Sequence, residues 1–124
     1  MKIDRTKIGT KVLSVALLFH LPVFSAFGRS QEQGSAARKF DEFEDIETDD
    51  LQARLDLFAQ QLGKDPNVRG LIVGYRPEGW RPGSYLRYIH GFRDYLVNSR
   101  AVVPEQVEVV EGGIRDKTAT ELWL

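Results

Sequence analysis

The chain has no cysteine among its 124 residues. Disulfide staples, thiol catalysis and thiolate metal sites are therefore excluded. Histidine is scarce, with only His20 and His90. Zinc-ligand spacing, a phosphate-cradling glycine loop, a dinucleotide fingerprint and a Gly-x-Ser-x-Gly elbow are all missing. Each of these is a specific signal, so an enzyme is the less favoured class and no cofactor or metal is expected. No excess of basic charge is present either, because the formal net charge is −1. Nonspecific nucleic-acid binding needs a basic surface and is not expected.

What is present begins with a leader. Lys2, Arg5, Lys7 and Lys11 stand against a single acid, Asp4, and an apolar run follows from Val12 to Phe27. The run ends in Ala26-Phe27-Gly28, a small-x-small pattern suited to a signal peptidase. Basic, apolar and cleavable parts in that order read as a secretory signal over residues 1–28. A spanning anchor wants about 20 apolar residues, and Pro22 interrupts the run before that length. The expected location is exported, periplasmic or secreted, with no membrane span after cleavage. Removing 28 of the 124 residues leaves 96, enough for one core. The leader takes four of the 17 basic residues and one of the 18 acids, so 13 basic and 17 acidic side chains remain, a net of −4.

The small polar residues 29–38 predict a flexible leader to a single domain over 39–124. Lys39 to Asp50 spaces Phe40, Phe43 and Ile46 among seven carboxylates, which predicts a short irregular strand. Thr48 or Asp49 is placed to cap a helix whose Leu51, Leu55, Phe58, Ala59 and Leu62 share an arc of about 100°. Gly63 offers a left-handed stop, followed by Asp65-Pro66. Val68 to Gly74 predicts a central strand covered on both faces, and Tyr75–Gly83 predicts a loop. A second helix is expected from Ser84 to Asn98, with Tyr85, Leu86, Ile89, Phe92, Leu96 and Val97 on one face. Gln106–Val110 predicts a strand, Gly112-Gly113 a turn and Thr118–Leu124 a last strand. The fold class is an α/β (α+β) two-layer sandwich in the order β-α-β-α-β-β, with two helices on one face of a mixed sheet. The apolar ending Glu-Leu-Trp-Leu predicts that the final residues are paired and buried.

The leading candidate site is the loop Tyr75–Gly83, because it joins the end of a central strand to a helix N-terminus, where anions are favoured. Arg76 and Arg81 are candidates to pair with a carboxylate, Trp80 to stack on a sugar ring or aliphatic chain, and Ser84 stands at the helix start. The alternative is a surface loop with Trp80 folded back over the core edge. Arg93 lies beside the apolar face of the second helix and is a possible buried charge, with a partner in the acidic stretch 41–50. The alternative is an arginine snorkelling at the rim. His90 and Asp94 stand one turn apart, as a general base and its orienting acid would, or as a solvated pair. The carboxylates of 41–50 lack the glycine and spacing of a calcium loop. They are expected to form a solvated edge or to pair with Arg69, Arg76, Arg81, Arg87, Arg93 and Arg100.

Leu71-Ile-Val-Gly74, Asp94-Tyr-Leu96 through Val103-Pro104, and Gln106–Val110 with Gly112-Gly113 carry a family resemblance. Over about residues 40–124 they resemble the outer-membrane-protein-A-like C-terminal domain. The resemblance implies a βαβαββ sandwich with the last strand inside a mixed sheet, and anchoring to peptidoglycan. In that family the peptide-stem diaminopimelate is held by an aspartate three residues after the strand glycine and an arginine early in the second helix. Here those places carry Pro77 and Tyr88, so the resemblance implies the fold and no site residue. The expected function is therefore a non-catalytic binding module of the cell envelope or extracellular space, for a cell-wall or anionic glycan ligand. The alternatives are a small His90-dependent hydrolase and a structural or inhibitory partner of another exported protein.

Overall fold

Alternation and helical periodicity sort residues 36–124, those that the computed structural model describes, into four strands and two long helices. Residues 1–28, expected to be a secretory signal, and most of the expected polar leader lie outside the described residues. The order is β1 (Lys39–Phe43), α1 (Thr48–Lys64), β2 (Gly70–Arg76), α2 (Ser84–Arg100), β3 (Val107–Ile114) and β4 (Ala119–Trp123), with a 3-10 turn at Pro104–Gln106. The sheet order is β1-β4-β2-β3. Only β2 and β3 are parallel, and β4 runs antiparallel to both its neighbours. The expected mixed sheet and β-α-β-α-β-β order are both present.

Side chains on β2 fix the side on which the helices lie. A Cβ at Gly70 would meet Phe58 and Leu62 of α1, and one at Gly74 would meet Ile89 and Tyr85 of α2. Positions four apart on a strand share a face, so both helices cover the same side. Leu55, Phe58, Leu62, Ile72, Ile89, Leu96 and Leu122 are fully buried there. Thr120 joins them as a polar residue, satisfied by a 2.9 Å hydrogen bond shared with the Tyr85 hydroxyl. The opposite face carries Tyr75, Glu121 and Trp123, a polar set considered below.

Four local expectations are corrected. Glu47, not Thr48 or Asp49, precedes the first helical turn, without a side-chain cap. Gly63 does not stop α1, which continues to Lys64 without a left-handed residue at its end. The stop is supplied from a distance. The Gln106 side-chain amide lies 2.7 Å from the Leu62 carbonyl, 3.1 Å from that of Asp65 and 2.9 Å from that of Val68, satisfying groups that a helix end leaves open. Gly112-Gly113 is no turn but part of β3. The register with β2 slips there, so Gly112 is an extra residue and Gly113 adopts φ +119°. A side chain at Gly112 would strike Tyr75 and Val73, so the bulge makes room for the Tyr75 ring. Finally, Arg38, assigned to the flexible leader, exchanges two backbone hydrogen bonds with Leu124, of 2.8 and 2.9 Å.

Because β4 is an interior strand, its last residues are paired on both sides. Deleting Glu121–Leu124 is expected to abolish cooperative thermal unfolding, as read by circular dichroism. Helix α2 ends at Ala101, a non-glycine residue at φ 56°. Relief of that conformation in Ala101→Gly is expected to raise stability by about 1 kcal/mol in urea denaturation.

Candidate functional site

The loop between β2 and α2 is built on a carboxylate from the neighbouring strand. Glu111 of β3 accepts from the Arg76 guanidinium at 2.5 Å and, through its other oxygen, from the Gly83 backbone N–H at 3.1 Å. Arg76 also donates to the Trp80 carbonyl at 2.8 Å. The anion expected at the start of α2 is therefore supplied by the chain itself. With its side chain only 13% exposed, Arg76 acts as a brace that ties the loop to β3. Ser84 is exposed, and its hydroxyl donates to the Arg81 carbonyl at 2.7 Å.

The loop reverses direction at Gly79 (φ +86°) and Gly83 (φ +78°), where left-handed backbone favours glycine. Between them stand Trp80 and Arg81. Trp80 is 48% exposed and Arg81 is exposed. The structure places Trp80 and Arg81 in the loop, which begins after Arg76 rather than at Tyr75, with Arg76 as the last residue of β2 and Ser84 as the first of α2. It divides their roles: Arg76 and Ser84 hold the backbone, while Trp80 and Arg81 present their side chains outward.

The remaining candidates fall elsewhere. Arg93 is half-buried, and its guanidinium donates to the carbonyls of Val107 (3.1 Å) and Pro104 (2.9 Å) rather than to the acidic stretch. It pins the connection between α2 and β3. The acidic stretch pairs instead with Arg54, Lys39, Arg115 and Lys117, and with none of the six arginines expected for it. Those arginines are used otherwise: Arg100 binds Asp56 at 2.5 Å, and Arg69 donates to the Glu105 carbonyl at 3.1 Å. His90 and Asp94 are both exposed, and no hydrogen bond joins them among the described residues. No group of three metal-ligating side chains and no helix long and apolar enough to cross a membrane occurs among the described residues.

Sequence reasoning missed the most perturbed carboxylate in the domain, Glu121. It is 4% exposed on the sheet face turned away from the helices. One oxygen accepts from Lys39 at 2.9 Å and Arg115 at 2.8 Å. The other accepts from the Tyr75 hydroxyl at 3.0 Å and the Trp123 indole N–H at 2.9 Å. Glu42 binds the same two cations, each at 2.6 Å, closing a ring of two carboxylates and two cations. The Arg115 guanidinium also lies 3.6 Å from the Tyr75 ring centre, a cation–π stack. Burial opposes the charge on Glu121, but the donors from Lys39, Trp123, Arg115 and Tyr75 prevail and hold its carboxyl at about 2. A perturbed acid often marks a functional site. This one has both oxygens doubly occupied by the chain's own donors, so it has no lone pair left for a substrate proton. The alternation Thr-Glu-Leu-Trp places Glu121 and Trp123 on one face, which is the only local sign of the ring. Arg115 and Lys39 arrive from a turn and from the far edge strand.

Because the Glu121 carboxyl titrates lower in the folded chain than its ordinary 4.5, its stabilisation is complete above pH 4.5 and is lost as pH falls towards 2. Glu121→Gln is expected to cost about 2 kcal/mol at pH 7. Urea denaturation at a series of pH values should show wild type and variant converging across that acid window. A constant difference down to pH 2 would contradict the account.

No protein-family model matches the chain, and no curated protein shows significant similarity to it.

Proposed function

We propose that this chain is an exported, non-catalytic binding module that presents Trp80 and Arg81 to an anionic glycan, such as a cell-wall polymer. The reading rests on one observation above the others: an exposed tryptophan on a loop held rigid from beneath. An aromatic ring left out of the core is more than a stray surface residue when the chain invests the Arg76–Glu111 pair in holding its backbone. Stacking on a pyranose face needs a flat apolar surface in a fixed orientation. A pre-formed loop lowers the ordering cost of binding. Arg81 adds a planar donor fork suited to a carboxylate on the glycan.

Other features of the chain support the same reading. The basic-apolar leader of residues 1–28 suits export, which brings the domain to a compartment where such polymers occur. Hydrolysis by His90 draws no support from its surroundings, since neither Asp94 nor a hydroxyl is positioned against the ring. The resemblance to the peptidoglycan-associating domain is in keeping with the observed element order, while the ligand contacts proposed here belong to a different loop residue set.

Co-sedimentation with purified cell-wall sacculi tests the proposal. The full chain is expected to pellet with sacculi at low salt and to be released as salt rises, because screening weakens the arginine contact. Trp80→Ala/Arg81→Ala is expected to remain in the supernatant with an unchanged melting temperature. Failure of the full chain to pellet, or equal pelleting by the double variant, would refute it.

A further inference from the structure

Beside α2 lies a second feature, of opposite electrostatic character to the Trp80 loop. A shallow, open concavity sits between the β1–α1 connection and α2. The rings of Phe43, Tyr85, Tyr88 and Phe92 line it together with the carboxylates of Glu44 and Asp45. Tyr88 is the unusual member. It is 53% exposed on a helix whose other aromatic residues, Tyr85, Phe92 and Tyr95, are buried or half-buried. Its ring lies 5.6 Å from Tyr85 and 5.0 Å from Phe92, edge-on to the latter. The rings form a continuous wall.

From this geometry we infer that the concavity is a docking site for one cationic side chain, lysine or arginine, of a partner polypeptide. Aromatic faces carry negative quadrupole density and attract an ammonium or guanidinium held within about 6 Å. The aliphatic stem of such a residue covers apolar surface while its head remains among polar groups. Charge complementarity selects this occupant over a neutral one. Glu44 and Asp45 belong to a run of seven carboxylates; Lys117 lies 3.3 Å from Glu44, and the Arg54 guanidinium lies over the Phe43 ring at 5.7 Å, leaving Tyr88 and Asp45 as the groups open to a partner's cation. Asp45 makes no ion pair among the described residues. Burial raises the Tyr85 hydroxyl most, its hydrogen bond with Thr120 opposes the rise, and Tyr88 and Asp45 add to it.

The site shares no side chain with the Trp80 loop, and its test is separate. The probes are three capped peptides, acetyl-Gly-Xaa-Gly-amide, with lysine, arginine or norleucine at the centre, titrated into the full chain and followed by 1H–15N NMR. The lysine and arginine peptides are expected to produce saturable shifts confined to residues 43–46, 85–92 and 118, weakening with salt. The norleucine peptide should produce none. Asp45→Asn and Tyr88→Ala are each expected to weaken the lysine peptide by roughly threefold or more. Asp45→Glu should restore binding. The inference is overturned by absence of saturable shifts, by equal shifts with norleucine, by shifts elsewhere in the domain, or by indifference to both substitutions. Sacculus binding depends on Trp80 and Arg81, and peptide binding on Asp45 and Tyr88, so either result can fail without the other.

Discussion

A single buried carboxylate constrains this domain more than any other group. Glu121 lies on the interior strand β4, on the sheet face that the helices do not cover, and is 4% exposed. An ionised group so placed is tolerated only when its lone pairs are filled. Four donors fill them, and they come from β1, β2, β4 and the turn after β3. The requirement for those donors links otherwise separate features. It places Arg115 against the Tyr75 ring, and it needs the Tyr75 ring to lie across β3, which the glycine bulge at 112 permits. It also holds the edge strand β1 through Lys39. The ring of charges is neutral as a whole, with two acids and two bases.

The same strategy, an internal carboxylate meeting an internal cation, organises the loop at the end of β2. Glu111 occupies both the Arg76 guanidinium and the backbone N–H of Gly83, the residue that leads into α2. A helix N-terminus with its own carboxylate has little call for an external anion. The consequence for the proposed function is a transfer of roles: the residue with the strongest electrostatic claim on a ligand, Arg76, becomes scaffold, and Trp80 and Arg81 become the proposed contact surface. In the proposed reading, a braced loop bearing one aromatic ring and one arginine would suit a repetitive polymer better than a small metabolite enclosed on all sides.

The elements themselves were legible because their signals are local. Leu51 to Leu62 and Tyr85 to Leu96 repeat at helical spacing, and the run Leu71–Val73 is apolar enough for an interior strand. Elements whose ends depend on distant side chains were misplaced. Gly63 looked like the stop of α1, yet Gln106, more than forty positions away, satisfies the helix end. Gly112-Gly113 looked like a turn because positive φ serves turns and bulges alike, and only pairing with β2 distinguishes them. The loop was found from its position between a strand and a helix. Its division into brace and contact was invisible, because Glu111 reads as one more acid in an alternating strand. Glu121 escaped notice for the same reason: its partners are long-range, and nothing in Thr-Glu-Leu-Trp announces a charge without access to water.

The central claim is that the Trp80 loop is the binding surface and that the Glu121 ring is scaffold. A chemical-shift map of the full chain, recorded as soluble anionic cell-wall glycan is added, tests both halves together. The account requires shifts concentrated in Pro77–Ser84, including the Trp80 indole, with the Trp123 indole and the Arg115 side chain unmoved. Shifts centred on Tyr75, Arg115 and Trp123, or no shifts at saturating glycan, would contradict it.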